Sequence, residues 1–496
     1  MQNIRHRLFK GTLWLASARV ATNLLSLVST FFLARLLVPA DFGLVALGTT
    51  ILTIVNSVTN ISLSQALVQH RAPTTDHFHT AWTLNFGRAA IIAALMAASA
   101  QPLSVFFEDT RLVSVILVLS LSMLCSGLEN PRAIMLTRDL VFWQQFMLQV
   151  SQTLVSLVVS IVLAVLYQSY WALVIGTVAG QVAGVMLSYG IMPFRPRFKV
   201  VHTKELFSFS LWLTFCQIIT TINWNFDQLL VGKFLGQTAL GYYTVGNKIA
   251  IIPSREATAP LTVSLFPAFS RVADDRSRLA AAYQSATGLA AAIALPLGVG
   301  TALIADPLVR LTMGEKWLPT VLMIQVLACV FGFQSMFSLV QPLVMATGRT
   351  QLLFKRDLQA FAARIPLLVI GLYFGGLPGV VYARAVSGTA TFFMQTSMVT
   401  QVTGLTFMEQ ARAHFRALAA SVVMAAAVVP ITMAMPDSFR PLDNALEIAA
   451  LVLIGGAAYI AATLVLWMMM RRPEGPEAEI LRIIDKVRNF LRRAPA

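Results

Sequence analysis

Charge is scarce in this chain. Only 12% of its 496 residues are Asp, Glu, Lys or Arg, while 57% are hydrophobic. A soluble domain carries roughly 25% charged residues, so an ordinary soluble protein is excluded. Cysteine is nearly absent: Cys125, Cys216 and Cys329 all fall in apolar segments with no CxxC spacing. Disulfide and metal roles drop out and packing remains. There is no G-x-x-x-x-G-K-[ST] stretch, hence no P-loop for ATP hydrolysis, and neither H-E-x-x-H nor G-x-S-x-G occurs. Histidines are few: His6, His70, His77, His79, His202 and His414, all in or beside segments expected at the cytoplasmic face. The His77-x-His79 spacing suits a metal, but a solvated loop pair is the plainer expectation. All loops are short, so no room exists for an external catalytic domain, and neither enzyme nor cofactor is expected.

What is abundant is apolar run. A membrane-spanning helix needs about 20 apolar residues, and fourteen candidate spans follow, from 11–35 to 445–470. They include the fourth at 112–135, the eighth at 239–267, the tenth at 318–346, and the eleventh and twelfth at 352–375 and 378–401. The fold class is therefore an all-α polytopic membrane protein. Net charge is +15, but its distribution argues against nucleic acid as a partner. About 25 of the 37 Lys and Arg lie on the N-terminus, the loops alternating to its side and the C-terminal tail. About six lie on the opposite loops. This is the positive-inside pattern, which predicts both termini in the cytoplasm. The run Arg195-Pro196-Arg197-Phe198-Lys199 is then a topology signal first and an anionic-lipid contact second.

The first fifty residues occur twice. Sliding the chain by 198 places Leu8-Phe9 on Leu206-Phe207, Leu13-Trp14-Leu15 on Leu211-Trp212-Leu213, and Thr22 on Thr220. Without a gap, Leu37, Gly43, Gly48 and Ile51 then fall on Leu235, Gly241, Gly246 and Ile249. A weaker echo pairs Met135-Leu136-Thr137-Arg138 with Ala346-Thr347-Gly348-Arg349. The copies begin at spans 1 and 7, so both have the same orientation. That predicts two six-helix lobes related by a pseudo-two-fold axis along the membrane normal, with a site between them. The lobes are 1–193 and 207–405, joined by a cytoplasmic linker at 194–206. Residues 406–472 hold two appended spans. The tail at 473–496 places Ile480, Ile483, Ile484, Val487, Phe490 and Leu491 on one face, as in an amphipathic helix lying on the cytoplasmic membrane surface.

Well inside the spans lie the cations Arg19, Arg88, Lys248, Arg255, Arg364 and Arg384, against the anions Asp227 and Glu256. A charge at mid-bilayer costs at least a few kcal/mol, so these residues must face a wet cavity or a partner. A surplus of positive charge suits an anionic substrate, and the planar guanidinium fork suits phosphate. Arg255, Arg364, Arg19, Arg88 and Lys248 are therefore the candidate substrate-cavity residues. Arg19 and Arg88 also have the depth to snorkel, and Arg384, nearer its span's end, is expected to do so. Arg255 and Glu256 sit between Pro253 and Pro260, where a proline-broken helix would free backbone groups toward a cavity. Asp227 and Glu256 are candidates for coupling to H+ or Na+; for Asp227 a structural pair with Lys233 or Lys248 is the alternative.

The stretch Leu33-Ala34-Arg35-Leu36-Leu37-Val38-Pro39-Ala40-Asp41-Phe42-Gly43-Leu44 resembles bacterial polysaccharide exporters. So do Asn225-Phe226-Asp227-Gln228 through Ala239-Leu240-Gly241-Tyr242-Tyr243, Leu265-Phe266-Pro267-Ala268-Phe269-Ser270-Arg271, Gly314-Glu315-Lys316-Trp317-Leu318-Pro319 and Thr347-Gly348-Arg349. From about residue 8 to 400 the chain is similar to the Wzx-type branch of the multidrug/oligosaccharidyl-lipid/polysaccharide superfamily. The resemblance implies a flippase of the bacterial inner membrane. It would move undecaprenyl-pyrophosphate-linked oligosaccharide to the periplasmic leaflet by alternating access, driven by an ion gradient. A polysaccharide polymerase and a chain-length regulator are the implied protein partners. The alternatives are a small-molecule antiporter of the same superfamily, which would want acidic sites for cations, and a membrane polymerase, which would want a large periplasmic loop.

Overall fold

A computed structural model describes residues 2–59, 67, 73–138, 142–201, 211–435 and 440–470. Among them the regular structure is helical, and ten helices are long and apolar enough to cross a membrane. The amphipathic tail at 473–496 and residues 202–206 of the linker lie outside the described residues. The chain divides into two compact units, Met1–Val245 and Gly246–Ala496.

The first unit contains α1 (Gln2–Leu36), α2 (Pro39–Thr59), α3 (Thr75–Phe107), α4 (Arg111–Gly127), the short α5 (Ile134–Arg138), α6 (Phe142–Tyr167), α7 (Trp171–Ile191) and α8 (Leu211–Phe234). Helix α9 (Gly236–Arg271) begins in the first unit and continues into the second. Packing here rests on small residues, as expected where lipid supplies no hydrophobic drive between helices. Gly176, Gly180 and Gly184 line one face of α7, and a Cβ on each would run into Ser160, Gln152 and Ser156, or Gln152 of the antiparallel α6.

The 198-residue repeat has a physical counterpart in this unit. A Cβ on Gly43 would lie 1.7 Å from the backbone oxygen of Gln237, and one on Gly241 would lie 1.9 Å from that of Pro39. Gly43 matches Gly241 and Pro39 matches Gln237 under the same shift. The two contacts are thus one contact seen from both copies, which is what a local two-fold between α2 and α9 requires.

The second unit continues with α10 (Arg276–Leu303), α11 (Ala305–Thr312), α12 (Thr320–Ser335), α13 (Val340–Ala346), α14 (Thr350–Thr403), α15 (Phe407–Ala434) and α16 (Pro441–Met469). Helix α14 joins the expected eleventh and twelfth spans. It reverses at Gly376, where φ is +54°, a conformation open to glycine. The arms close so tightly that a Cβ on Gly379 would sit 1.9 Å from the Gly371 oxygen. Gly48 and its repeat mate Gly246 play matching parts: a Cβ on Gly48 meets Leu119 and Val115 of α4, one on Gly246 meets Met323 and Thr320 of α12.

Two expectations need correction. Helix α9 is not broken between Pro253 and Pro260; it runs through Pro253, Pro260 and Pro267 as one helix of 36 residues. A proline costs a helix one N–H and a local bend, and the long helix absorbs three. His77 and His79 are not solvated: they are 4% and 6% exposed in the first turns of α3. There His77 Nδ1 accepts from the Thr74 backbone at 3.2 Å and His79 Nδ1 from the Arg197 backbone at 3.2 Å. His414 is buried at 3% inside α15, 3.1 Å from the Thr287 hydroxyl.

Candidate functional site

The intramembrane cations fall into two groups. Arg19 on α1 and Arg255 on α9 are exposed, and Lys248, Arg88 and Glu256 are half-buried. Arg255 and Glu256, being adjacent, project about 100° apart on their helix. By contrast Arg364 and Arg384, one on each arm of α14, are 9% and 3% exposed. Arg384 therefore does not snorkel. Its guanidinium lies 5.6 Å from the Phe331 ring of α12, a cation–π contact. Position along a span sets depth but not the side faced, which is why the sequence misplaced it. Arg416 on α15 is also buried at 9% and escaped sequence reasoning because it lies close to a span end.

Asp227 on α8 is 1% exposed. The Tyr243 hydroxyl donates a short hydrogen bond to its Oδ2, and the Gln228 backbone N–H donates to Oδ1 at 3.1 Å. Lys233, an alternative partner, goes elsewhere: its Nζ sits 2.7 Å from Glu108 Oε1 at the end of α3 and 5.0 Å from the Phe106 ring. The Lys233 hydrogen bond and charge hold the Glu108 carboxyl below the usual carboxylate range. In the same loop, burial pushes Asp109 up, but the bonds from Arg111, at 2.7–3.1 Å, outweigh it and leave Asp109 lowered.

The fourth span holds a feature that the uninterrupted reading of 112–135 missed. Helix α4 stops at Gly127, and Leu128–Asn130 lead into a 3-10 turn at Pro131–Ala133 before α5. Seventeen residues rise about 25 Å, short of the roughly 30 Å hydrocarbon core. Polar side chains add hydrogen bonds to the carbonyls at the break. Asn85 Nδ2 donates to the Ser126 oxygen at 3.3 Å, and the Tyr189 hydroxyl donates to the Leu128 oxygen at 2.9 Å. The tenth span breaks likewise, α12 ending at Ser335 and α13 beginning at Val340. Thr287 Oγ1 donates to the freed Met336 oxygen at 2.9 Å. Pro131 and Pro342 fall on one another in the register of the Arg138/Arg349 echo.

The breaks differ in their surroundings. That of the tenth span is sealed in an apolar cluster with Met336, Phe337, Leu339 and Val340 all 4% exposed or less. That of the fourth span leaves Glu129 exposed. Glu129 Oε1 accepts from Gln181 Nε2 at 2.8 Å, and Gln181 Oε1 accepts from Gln152 Nε2 at 2.9 Å. Arg88 donates to Asn56 Oδ1 at 3.1 Å and Asn85 Oδ1 at 3.2 Å. Its Nε is buried without a hydrogen-bond partner. Among the described residues no group of His, Cys, Asp and Glu is arranged to hold a metal.

A family model described as polysaccharide biosynthesis protein matches residues 32–322. The chain belongs to that family. Among its relatives it is 24% identical over 382 residues to the lipopolysaccharide biosynthesis protein WzxC of Escherichia coli K12, covering 76% of this chain and 78% of WzxC. It is 22% identical to the teichuronic acid biosynthesis protein TuaB of Bacillus subtilis 168, covering 93% and 96%. It is 21% identical to the succinoglycan biosynthesis transport protein ExoT of Rhizobium meliloti, covering 84% of each. In fold it is similar to the lipid II flippase MurJ, with a TM-score of 0.74 at 16% identity over 92% of this chain and all of that one. It is also similar to an inward-facing multidrug resistance MATE transporter of the MOP superfamily, with a TM-score of 0.62 at 14% identity over 79% and 99%.

Most of the motifs that carry the likeness to this polysaccharide biosynthesis family are packing and turn residues here. Gly43 and Gly241 form the close seam, Gly314 and Gly348 take φ of +86° and +71°, and Trp317 is fully buried. Asp227 and Asp41, from the same motifs, are buried carboxylates, 1% and 9% exposed.

Proposed function

We propose that this protein is a secondary transporter, not an enzyme, that flips an undecaprenyl-pyrophosphate-linked oligosaccharide across the inner membrane by alternating access. Both termini lie in the cytoplasm. The moving parts are the lobes 1–193 and 207–405, linked by 194–206, with 406–472 as an appended pair. The observation that carries this reading is positive charge buried in an apolar helical chain: Arg364 and Arg384 are 9% and 3% exposed. Cations at membrane depth mark a pathway for the opposite charge, and guanidinium forks suit a pyrophosphate. Membership of a polysaccharide biosynthesis family supports the substrate class, as does likeness along most of the chain to proteins named for lipopolysaccharide, teichuronic acid and succinoglycan synthesis.

Arg255, Arg364, Arg19, Arg88 and Lys248 line the substrate pathway in this scheme. Asp227 and Glu256 are the groups through which H+ or Na+ drives it. A polymerase and a chain-length regulator act on the product.

The test is to delete the gene and locate the lipid-linked intermediate with a membrane-impermeant probe on spheroplasts. The expected result is intermediate trapped on the cytoplasmic leaflet with no surface polymer. Unpolymerised units on the outer leaflet would overturn the proposal and point to polymerisation. Normal polymer, in a strain with no second flippase, would overturn the substrate class.

A further inference from the structure

Two spans at corresponding places in the repeat are interrupted, and such pairs are where transporters of repeated architecture bind substrate. The tenth span closes its interruption inside protein: Thr287, itself 3.1 Å from buried His414, caps the freed carbonyl, and mostly apolar side chains surround it. What the fourth span adds goes beyond that fully buried arrangement. It adds an exposed carboxylate, a chain of amides and an arginine, about 15–20 Å along α3, α6 and α7 from their ends on one membrane face. Irregular backbone at that depth is tolerated where protein buries it or where it lines a watery cavity. The exposure of Glu129 selects the cavity.

The chemistry of the cluster is not that of a phosphate site. Arg88 and Glu129 carry formal charges of opposite sign, so the cluster holds no excess of positive charge. The remaining groups, Gln181, Gln152, Asn85 and Asn56, are neutral amides. Such a set offers acceptors and donors side by side. A sugar hydroxyl both donates and accepts, so a neutral polyhydroxyl ligand matches this set and an anion does not. We propose that the interrupted fourth span is the glycan subsite of the first unit, with Glu129 and Gln181 holding sugar hydroxyls of the lipid-linked oligosaccharide. This rests on the flippase reading, and it turns Arg88 from the pyrophosphate toward the sugar.

The test compares two ligands on the detergent-solubilised full-length protein: undecaprenyl pyrophosphate alone, and the lipid-linked oligosaccharide extracted from cells lacking this gene. The wild type binds the glycosylated lipid more tightly. Glu129→Gln and Gln181→Ala each weaken that binding about ten-fold, the loss of one charge-assisted hydrogen bond, and leave the bare lipid unchanged. Should Gln181→Ala fail to fold, Glu129→Gln carries the test, since it keeps size and shape. Equal loss for both lipids, or no loss, overturns the subsite. If the wild type binds both lipids equally, the subsite falls and the flippase reading stands. Binding of neither lipid removes both.

Discussion

Replacing Gly43 or Gly241 with alanine tests the two-fold seam. In either variant the new Cβ meets a backbone oxygen, at 1.7 or 1.9 Å. Ordinary contact begins at 3.4 Å, so α2 and α9 must part locally by about 1.5 Å. Backbone cannot swing aside as a side chain does. The cost belongs at the upper end of the overpacking range, about 2–3 kcal/mol for each variant. The two clashes are one contact seen from both copies, so a single separation of the helices relieves both. The double variant is therefore expected to cost well under the sum, with a coupling of at least about 1 kcal/mol. Unfolding by titrated denaturant in mixed micelles reads these differences. Gly456→Ala, whose Cβ meets nothing within 4 Å, is the control and is expected to be neutral. Single variants within about 0.5 kcal/mol of that control, or strictly additive losses, would refute the reciprocal seam.

Replacing Arg364 or Arg255 with alanine is expected to abolish polymer export while membrane insertion, followed by a fluorescent fusion, stays intact; normal output from both would remove them from the pathway. Asp227→Asn is expected to flatten the dependence of transport on the ion gradient, and Tyr243→Phe to alter it less, because the carboxylate keeps its Gln228 bond. A gradient response unchanged in Asp227→Asn would assign Asp227 to structure. The loop at Glu108 and Asp109 sets an acid limit. Both carboxyls are lowered in the folded protein, so their contribution is present above the ordinary carboxylate pKa of about 4 and is lost as pH falls through their lowered values. Melting temperature in detergent should drop more steeply below about pH 4 for the wild type than for Lys233→Met; parallel curves would show the ion pair to be inert.

The repeat was legible because it needed only residue identity at fixed spacing, and glycine at Gly43 and Gly241 is forced by backbone approach. The turn between the eleventh and twelfth spans was legible as the gap between 375 and 378, where Gly376 takes φ of +54°. The broken fourth span was not. Leu128, Glu129 and Asn130 interrupt an otherwise apolar run too briefly to lower its mean, and Pro131 alone does not stop a helix, as α9 shows. Burial of Arg384, Arg416 and His414 was hidden because depth follows from position along a span, whereas the side faced depends on which helix packs there. The candidate site was therefore read as a set of charges, and its amides, which carry no charge to notice, went unseen.

Pro253, Pro260 and Pro267 repeat every seven residues along α9. Seven residues fall only about 20° short of two full turns. The three missing N–H groups, and the carbonyls four residues before them, therefore lie in one slowly drifting stripe down the helix. Prolines scattered around the circumference would bend it in cancelling directions. Aligned in this way they act like score marks on one side of a rod, and give α9 a single plane in which it flexes easily while it resists bending in the others.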